Sequence, residues 1–220
     1  MALSDLILSL DPPAPAEVRD AANSLAYRDF CLVALVIDHE QPFPDNWIYL
    51  HDPGVRAGRV QNFGAWSPDM VMPGTTCLGV EYFCSQGDDL WEMDDAELIA
   101  LAVSELERTG LVDPGTVIDG FRIRVPRAYP VYDERYAEAL ALIRGYLASF
   151  DNLRTFGRNG MHRYNNQDHS MWTAILASFN QLDGSDHDVW SVNTEHAYLE
   201  EGMLVEDVLG LDLIAADGGL

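Results

Sequence analysis

The sequence predicts an α+β fold: a mixed, largely antiparallel sheet flanked by helices. Three observations carry this. The run Arg28–Asp38 is almost unbroken apolar and rich in β-branched residues, which suits a strand buried on both faces. Further short strand-like runs are separated by Pro, Gly and Asp turns. Two stretches, near residues 94–110 and 134–150, carry apolar residues at helical spacing.

The elements follow in order. Ala2–Leu10 reads as a short helix that Pro12-Pro13-Ala14-Pro15 ends, and a second helix runs over Ala16–Leu25. After the buried strand come strand candidates at Trp47–His51, Gly58–Phe63 and Thr76–Cys84. Asp94-Asp95-Ala96-Glu97 has the form of a capping box with aspartate as cap. Leu98, Leu101, Ala102, Glu105 and Leu106 continue at helical spacing, and Gly110 is the stop. Val117–Val125 reads as a strand and Pro126–Asp133 as a rigid connection. A helix over Glu134–Phe150 puts Tyr136, Leu140, Ile143 and Leu147 on one face. A short β-like run at Leu153–Phe156 then turns through Gly157 and Gly160 into a last helix, Gln167–Asn180, expected to bury Met171, Trp172, Ile175, Leu176 and Phe179. From Asp183 the composition turns acidic and rich in turn residues. The reading is a loosely held tail with a short helix from Thr194. The division is 1–150, 151–182 and 183–220.

Composition narrows the function. The chain has 220 residues, 48% of them hydrophobic, and a net charge of -23. It contains no lysine, and eight of its 13 basic residues lie between Arg122 and Arg163. So acidic a chain disfavours nucleic acid and anionic membrane as partners, because both need positive patches. The local arginine zone suits a phosphate or carboxylate ligand; for Arg135 and Arg144 the reading is surface ion pairing. Cys31, Cys77 and Cys84 lie in apolar stretches and lack metal or disulfide spacing, so buried free thiols are expected. The first residues lack a signal peptide's basic start, and no apolar run approaches the roughly 20 residues a membrane helix needs. A cytoplasmic location follows as an expectation. Gly-x-Gly-x-x-Gly, Walker, Gly-x-Ser-x-Gly and His-Glu-x-x-His signatures are absent from the sequence.

The most informative segment is Leu153–Met171. A strand that turns through glycines into a helix start offers unpaired N–H groups and a positive dipole end, a setting for an anion or cofactor. Tyr129 and Tyr132 flank Pro130 and form either a pocket wall or aromatic packing. Arg59, Gln61 and Asn62 reach a polar ligand or mark the solvent side of a strand. Trp47, Trp66 and Trp91 read as core or interface residues, with a substrate surface as the alternative. His162 and His169 read as solvated or helix-end histidines, and Asp186-His187-Asp188 as linker, so no metal site is expected.

Gly157-Arg158-Asn159-Gly160-Met161-His162-Arg163-Tyr164 resembles the C-terminal flavin-contacting segment of amine-oxidase-type flavoproteins, nearest to the UDP-galactopyranose mutase branch. Ala128–Asp133 and the order of elements over roughly residues 1–182 resemble the same proteins. The resemblance implies a flavoprotein substrate domain plus a returning strand and helix of the FAD domain. It implies the C-terminal half of an FAD-dependent oxidoreductase or mutase, with an N-terminal dinucleotide-binding half as the partner. FAD belongs to the complete protein, with little or none expected on this chain alone. It implies cofactor contacts at Gly157, Arg158, Gly160, Asn166, Gln167 and Asp168, and substrate contacts at Tyr129, Tyr132, Arg163 and Tyr164. Arg158 would donate to a flavin carbonyl, and Tyr164 would face the phosphate side of a small-molecule or nucleotide-sugar substrate. No catalytic residue is assigned. The mutases usually carry aspartate where Asn166 stands, which sets the ring contraction apart from this chain. The alternative is a non-enzymatic ligand-binding or interaction module derived from that domain. A homodimer through the face left by the missing half is a further expectation.

Overall fold

The computed structural model describes residues 1–193, so the short helix expected from Thr194 and most of the acidic tail lie outside the described residues. The described residues divide into two compact units, Met1–Asp151 with Arg158–Tyr164, and Asn152–Gly157 with the residues from Asn165 to 193.

The first unit is built on a five-stranded antiparallel sheet. Its strands are β1 (Ala26–Ile37), β2 (Trp47–Tyr49), β3 (Arg59–Asn62), β4 (Thr76–Cys84) and β5 (Val117–Val131), in the order β2-β3-β4-β1-β5. β1 lies inside the sheet, as its apolar run requires. Alternate residues point to opposite faces. Cys31, Val33, Leu35 and Ile37 of β1 join Leu78, Val80, Tyr82 and Cys84 of β4 in the core. Helix α5 (Asp95–Thr109) covers that face through Leu98, Ala102 and Leu106. α5 starts and stops as its residues direct: Asp94 and Glu97 form the capping box, and Gly110 closes it with a left-handed φ of 73°. The opposite face carries Phe30 and Leu32 of β1, Glu81 and Phe83 of β4, and Arg59 and Gln61 of β3. One row across the sheet reads Tyr49, Arg59, Glu81, Leu32, Ile123.

β5 is six residues longer than the sequence reading, continuing from Val125 through Pro126 and Pro130 to Val131. It is an edge strand, where proline's missing N–H breaks no ladder. A bulge separates the pairs Phe30–Val125 and Arg28–Tyr129. Asp29 pins it, accepting the N–H of Arg127 at 2.7 Å through one oxygen and that of Gln86 at 2.8 Å through the other. Arg127 holds φ at +56°, a conformation that a bulge tolerates and a regular strand does not.

Short helices α3 (Phe63–Trp66) and α4 (Asp89–Glu92) link strands and α5. Three others, α1 (Leu3–Leu8), α2 (Ala16–Ser24) and α6 (Tyr136–Leu147), pack together with α2 between α1 and α6. Their apolar stripe includes Leu3, Ile7, Val18, Ala22, Ala139 and Ile143, all buried. The helical turn α7 (Gly157–Met161) returns the chain to this unit at Arg158.

In the second unit the β-like run at Leu153–Phe156 is not a strand. A strand requires a neighbour to complete its hydrogen bonds, and no described strand pairs with this run. Helix α8 (Gln167–Leu182) forms as expected but buries His169, Thr173, Leu176 and Ala177. Met171 and Ile175, expected inside, are 65% and 41% exposed. Apolar residues lie around so much of this helix that periodicity alone does not pick its inner face.

Candidate functional site

The open face of the sheet gathers charge and aromatic rings. Arg59 sits on β3 and is only 7% exposed; Glu81, its neighbour on β4, is fully buried. They form an ion pair, with Arg59 Nε donating to Glu81, while Gln61 Nε2 donates to the other carboxylate oxygen. A buried charge without such a partner would be strongly destabilising. Arg59 Nη2, which also faces Glu81, reaches the Tyr129 hydroxyl at 2.8 Å. Burial works against the Arg59 cation, but Glu81 and Tyr129 outweigh it and hold its pKa above the usual value. Burial raises the Tyr129 phenol, with Arg59 pulling the other way.

Rings close around both residues. The Arg59 guanidinium lies 4.6 Å from the centre of Trp47 and 5.0 Å from that of Phe83. Gly58 makes room for this: a Cβ there would sit 2.7 Å from the Phe83 ring. Tyr129 stacks on Tyr164 with ring centres 5.8 Å apart. The Arg158 guanidinium lies 4.5 Å from the Tyr164 ring centre and 5.1 Å from that of Tyr129, and donates to the Ala128 carbonyl at 3.4 Å. Trp47, Tyr49 and Tyr164 remain 40%, 60% and 45% exposed, so two cations stand behind an open aromatic rim. Such a cluster can take a planar group on its rings and an anion on its guanidinium groups.

Tyr132 supports the cluster from behind. Its hydroxyl accepts the Tyr164 N–H at 2.6 Å, and its ring stacks on Tyr136 at 4.3 Å. Of the expected substrate contacts, Tyr129, Tyr132 and Tyr164 thus come together, with Arg163 following Arg158 in the same return of the chain. Arg158 and Gly160 lie in the first unit; Gly157, Asn166, Gln167 and Asp168 lie in the second. Gly157 takes a φ of 75°, and its N–H donates to Thr173 Oγ1 at 3.0 Å. The Asn166 N–H donates to His169 Nδ1 at 3.1 Å, so His169 is a helix-start histidine. These two amides are committed inside their own segment. Of the six residues expected to touch FAD, Arg158 is the one set in a cation–aromatic cluster.

Several other expectations shift. His162, read as solvated or helix-end, is fully buried, because Tyr27 and Tyr136 enclose it. Trp47 and Trp66 are 40% and 48% exposed, while Trp91 packs against the core. Cys77 is only partly buried; Cys31 and Cys84 are fully so. Arg135 pairs with Asp133 at 3.6 Å on the surface, as expected. Sequence reasoning missed Glu81, a charge inside an apolar strand. Its period-two spacing from Gly79 and Phe83 was the available signal. No metal-binding group of His, Cys, Asp and Glu occurs among the described residues, nor a helix long and apolar enough to cross a membrane.

No protein-family profile and no curated protein matches the sequence. Solved structures do match the fold. A crystal structure of reduced UDP-galactopyranose mutase superposes with a TM-score of 0.72 at 18% identity, over 88% of this chain and 42% of that one. A protein from Exiguobacterium sp. 255-15 assigned as a protoporphyrinogen oxidase gives 0.53 at 16% identity, over 71% of this chain and 35% of that one. The fold is therefore that of part of these larger chains, and this chain spans well under half the length of either. The more similar of the two is a mutase of the branch that the Gly157–Tyr164 run resembles, and the expected α+β fold is borne out with it.

Proposed function

We propose that this chain is the ligand-facing part of an FAD-dependent oxidoreductase or mutase of amine-oxidase type, related to UDP-galactopyranose mutase. A dinucleotide-binding half completes the enzyme. The observation that carries the reading is the row Arg59–Tyr129–Tyr164–Arg158 on the open sheet face. Two guanidinium groups with an exposed aromatic rim suit a small phosphorylated ligand with a planar group, of which a nucleotide sugar is one form. The fold shared with the mutase supports the same class. In the complete protein FAD would supply reversible electron and hydride transfer. This chain's residues would bind and orient the anionic ligand: Arg158 and Arg59 hold charge, Tyr129 fixes Arg59, and Tyr164 offers a stacking surface. The sequence carries no pyrophosphate-cradling glycine motif, so this reading expects little or no flavin on the chain alone.

Calorimetric titration of the chain with UDP and with pyrophosphate tests this. Saturable binding that weakens at least about tenfold in Arg158→Gln supports it, since a charge-assisted contact is worth roughly 1.5–3 kcal/mol. Absence of binding to both ligands, or binding indifferent to Arg158 and Tyr164, would overturn it.

A further inference from the structure

His162 stands two residues before Tyr164 and is fully buried. Its φ of +47° places it in the left-handed region, which a residue with a Cβ seldom occupies. Neither ring nitrogen completes a hydrogen bond of ordinary geometry among the described residues, although the Val131 carbonyl acts on the ring. Such a combination of backbone strain and unmet polarity is uncommon in a fold's interior.

The surroundings are mostly rings. Tyr27 of β1 meets the imidazole edge-on at 4.6 Å, and Tyr136 of α6 lies 5.7 Å away. Charged and polar groups stand around these rings. The Arg127 guanidinium lies 5.5 Å from the other ring, Tyr27, and is itself paired with Asp5. Ser4 Oγ meets the Tyr27 hydroxyl at 3.2 Å. Arg163 and Arg144 act on Tyr136 at longer range. Burial lowers the His162 pKa, against the opposing pull of the Val131 carbonyl and Asp133. A neutral ring fits this setting; an imidazolium does not.

The ring is also joined to the ligand face. Tyr136 stacks on Tyr132, whose hydroxyl holds the Tyr164 N–H. His162's own N–H reaches back to the Asn159 carbonyl at 3.4 Å, and the Arg163 N–H to that of Arg158 at 3.0 Å. We propose that His162 is a positioning residue for the ligand face: neutral, it wedges between Tyr27 and Tyr136 and fixes the Arg158–Tyr164 return; protonated, it leaves that wedge and releases both residues from Tyr129. The inference rests on the proposed ligand site for its consequence, and on the wedge alone for its mechanism. It makes anion capture by this face stronger in neutral than in mildly acidic solution, on account of one side chain.

Near-ultraviolet circular dichroism of the whole chain from pH 8 to 5 reads the tyrosine stacks without ligand. The wild type is expected to lose part of this signal with a midpoint below 6.5, the ordinary imidazole value. His162→Phe and His162→Gln, which cannot take a proton, are expected to hold it flat over that range. Histidine ring NMR of the wild type, with His162 assigned through its contacts to Tyr27 and Tyr136, is expected to give a pKa below 6.5. Pyrophosphate binding, compared as the ratio of wild type to variant at each pH, is expected to fall several-fold on acidification, at most about tenfold per pH unit for one proton. Identical dichroism profiles in wild type and either folded variant would overturn the proposal. So would a His162 pKa at or above 6.5, a result that needs no variant to fold. If pyrophosphate binds at no pH, the ligand-site reading fails while the dichroism and NMR still decide the role of His162.

Discussion

Arg59 Nη2 donates a 2.8 Å hydrogen bond to the Tyr129 hydroxyl, joining two residues 70 positions apart. They sit on β3 and β5, with β4 and β1 between them, and meet above Phe30 and Phe83. Tyr129→Phe deletes the acceptor and keeps the ring. A hydrogen bond to a charged group contributes about 1.5–3 kcal/mol, and the half-exposed phenol places this one near the low end. Urea unfolding should show a loss of about 1–2 kcal/mol with an unchanged slope.

The Arg59–Glu81 pair gives a sharper contrast. Glu81→Gln leaves a guanidinium buried without its carboxylate and should cost about 3–5 kcal/mol. A double change to Arg59→Met with Glu81→Met removes both charges and should cost much less than the two single changes added together. A double-mutant cycle from denaturant midpoints measures the difference. Additive costs would show that the pair is not coupled.

Glu105 ties a loop to α5. Its carboxylate accepts the N–H groups of Arg56 at 2.6 Å and Ala57 at 3.2 Å and the Tyr82 hydroxyl at 2.9 Å. Glu105→Leu strands these buried donors and should destabilise by about 3 kcal/mol. Hydrogen exchange at the Arg56 and Ala57 amides should accelerate more than at β1, because the loop loses its tether first.

Alkaline titration separates the tyrosines. Burial raises Tyr82 far above the free phenol, Tyr136 to about 12, and Tyr129 by a smaller amount. Each of these phenols keeps its proton longer in the folded chain than in the unfolded one. Their stabilisation is therefore full below the free-phenol value of about 10 and is lost as pH rises through the folded values. Absorbance at the phenolate band should show late ionisation accompanied by unfolding. Tyr82→Phe should shift that unfolding to higher pH while lowering stability near neutrality.

Much of the fold was legible because its causes are local. Asp94, Glu97 and Gly110 mark both ends of α5, and the apolar run marks β1 as a strand inside a sheet. Arg158 and Tyr164 are also marked out by the Gly157–Tyr164 run that resembles flavoproteins, and Tyr129 by the separate stretch Ala128–Asp133. Glu81 and the enclosed His162 were not, because long-range pairing decides their surroundings. The sequence leaves Arg59 open between ligand and solvent for the same reason. Nothing near residue 59 says that Glu81 will lie beside it, or that Tyr27 and Tyr136 will enclose residue 162. The two prolines of β5 misled in the opposite direction, since their effect depends on whether the strand is at an edge.

The bulge in β5 acts as a ruler. Opposite the single residue Asp29 stand Pro126, Arg127 and Ala128, two more than an unbroken ladder would place there. At about 3.3 Å per residue, looping those two out holds the rest of the strand back by roughly 7 Å along β1. Drawn into an unbroken ladder, the same residues would set Tyr129 opposite Ala26 instead of Arg28, on the same side of the sheet but one side-chain row beyond the reach of Arg59. Removing two of the three should thus close the bulge and leave Tyr129 opposite Arg28, whereas straightening the strand with all three kept would carry the phenol one row out of place.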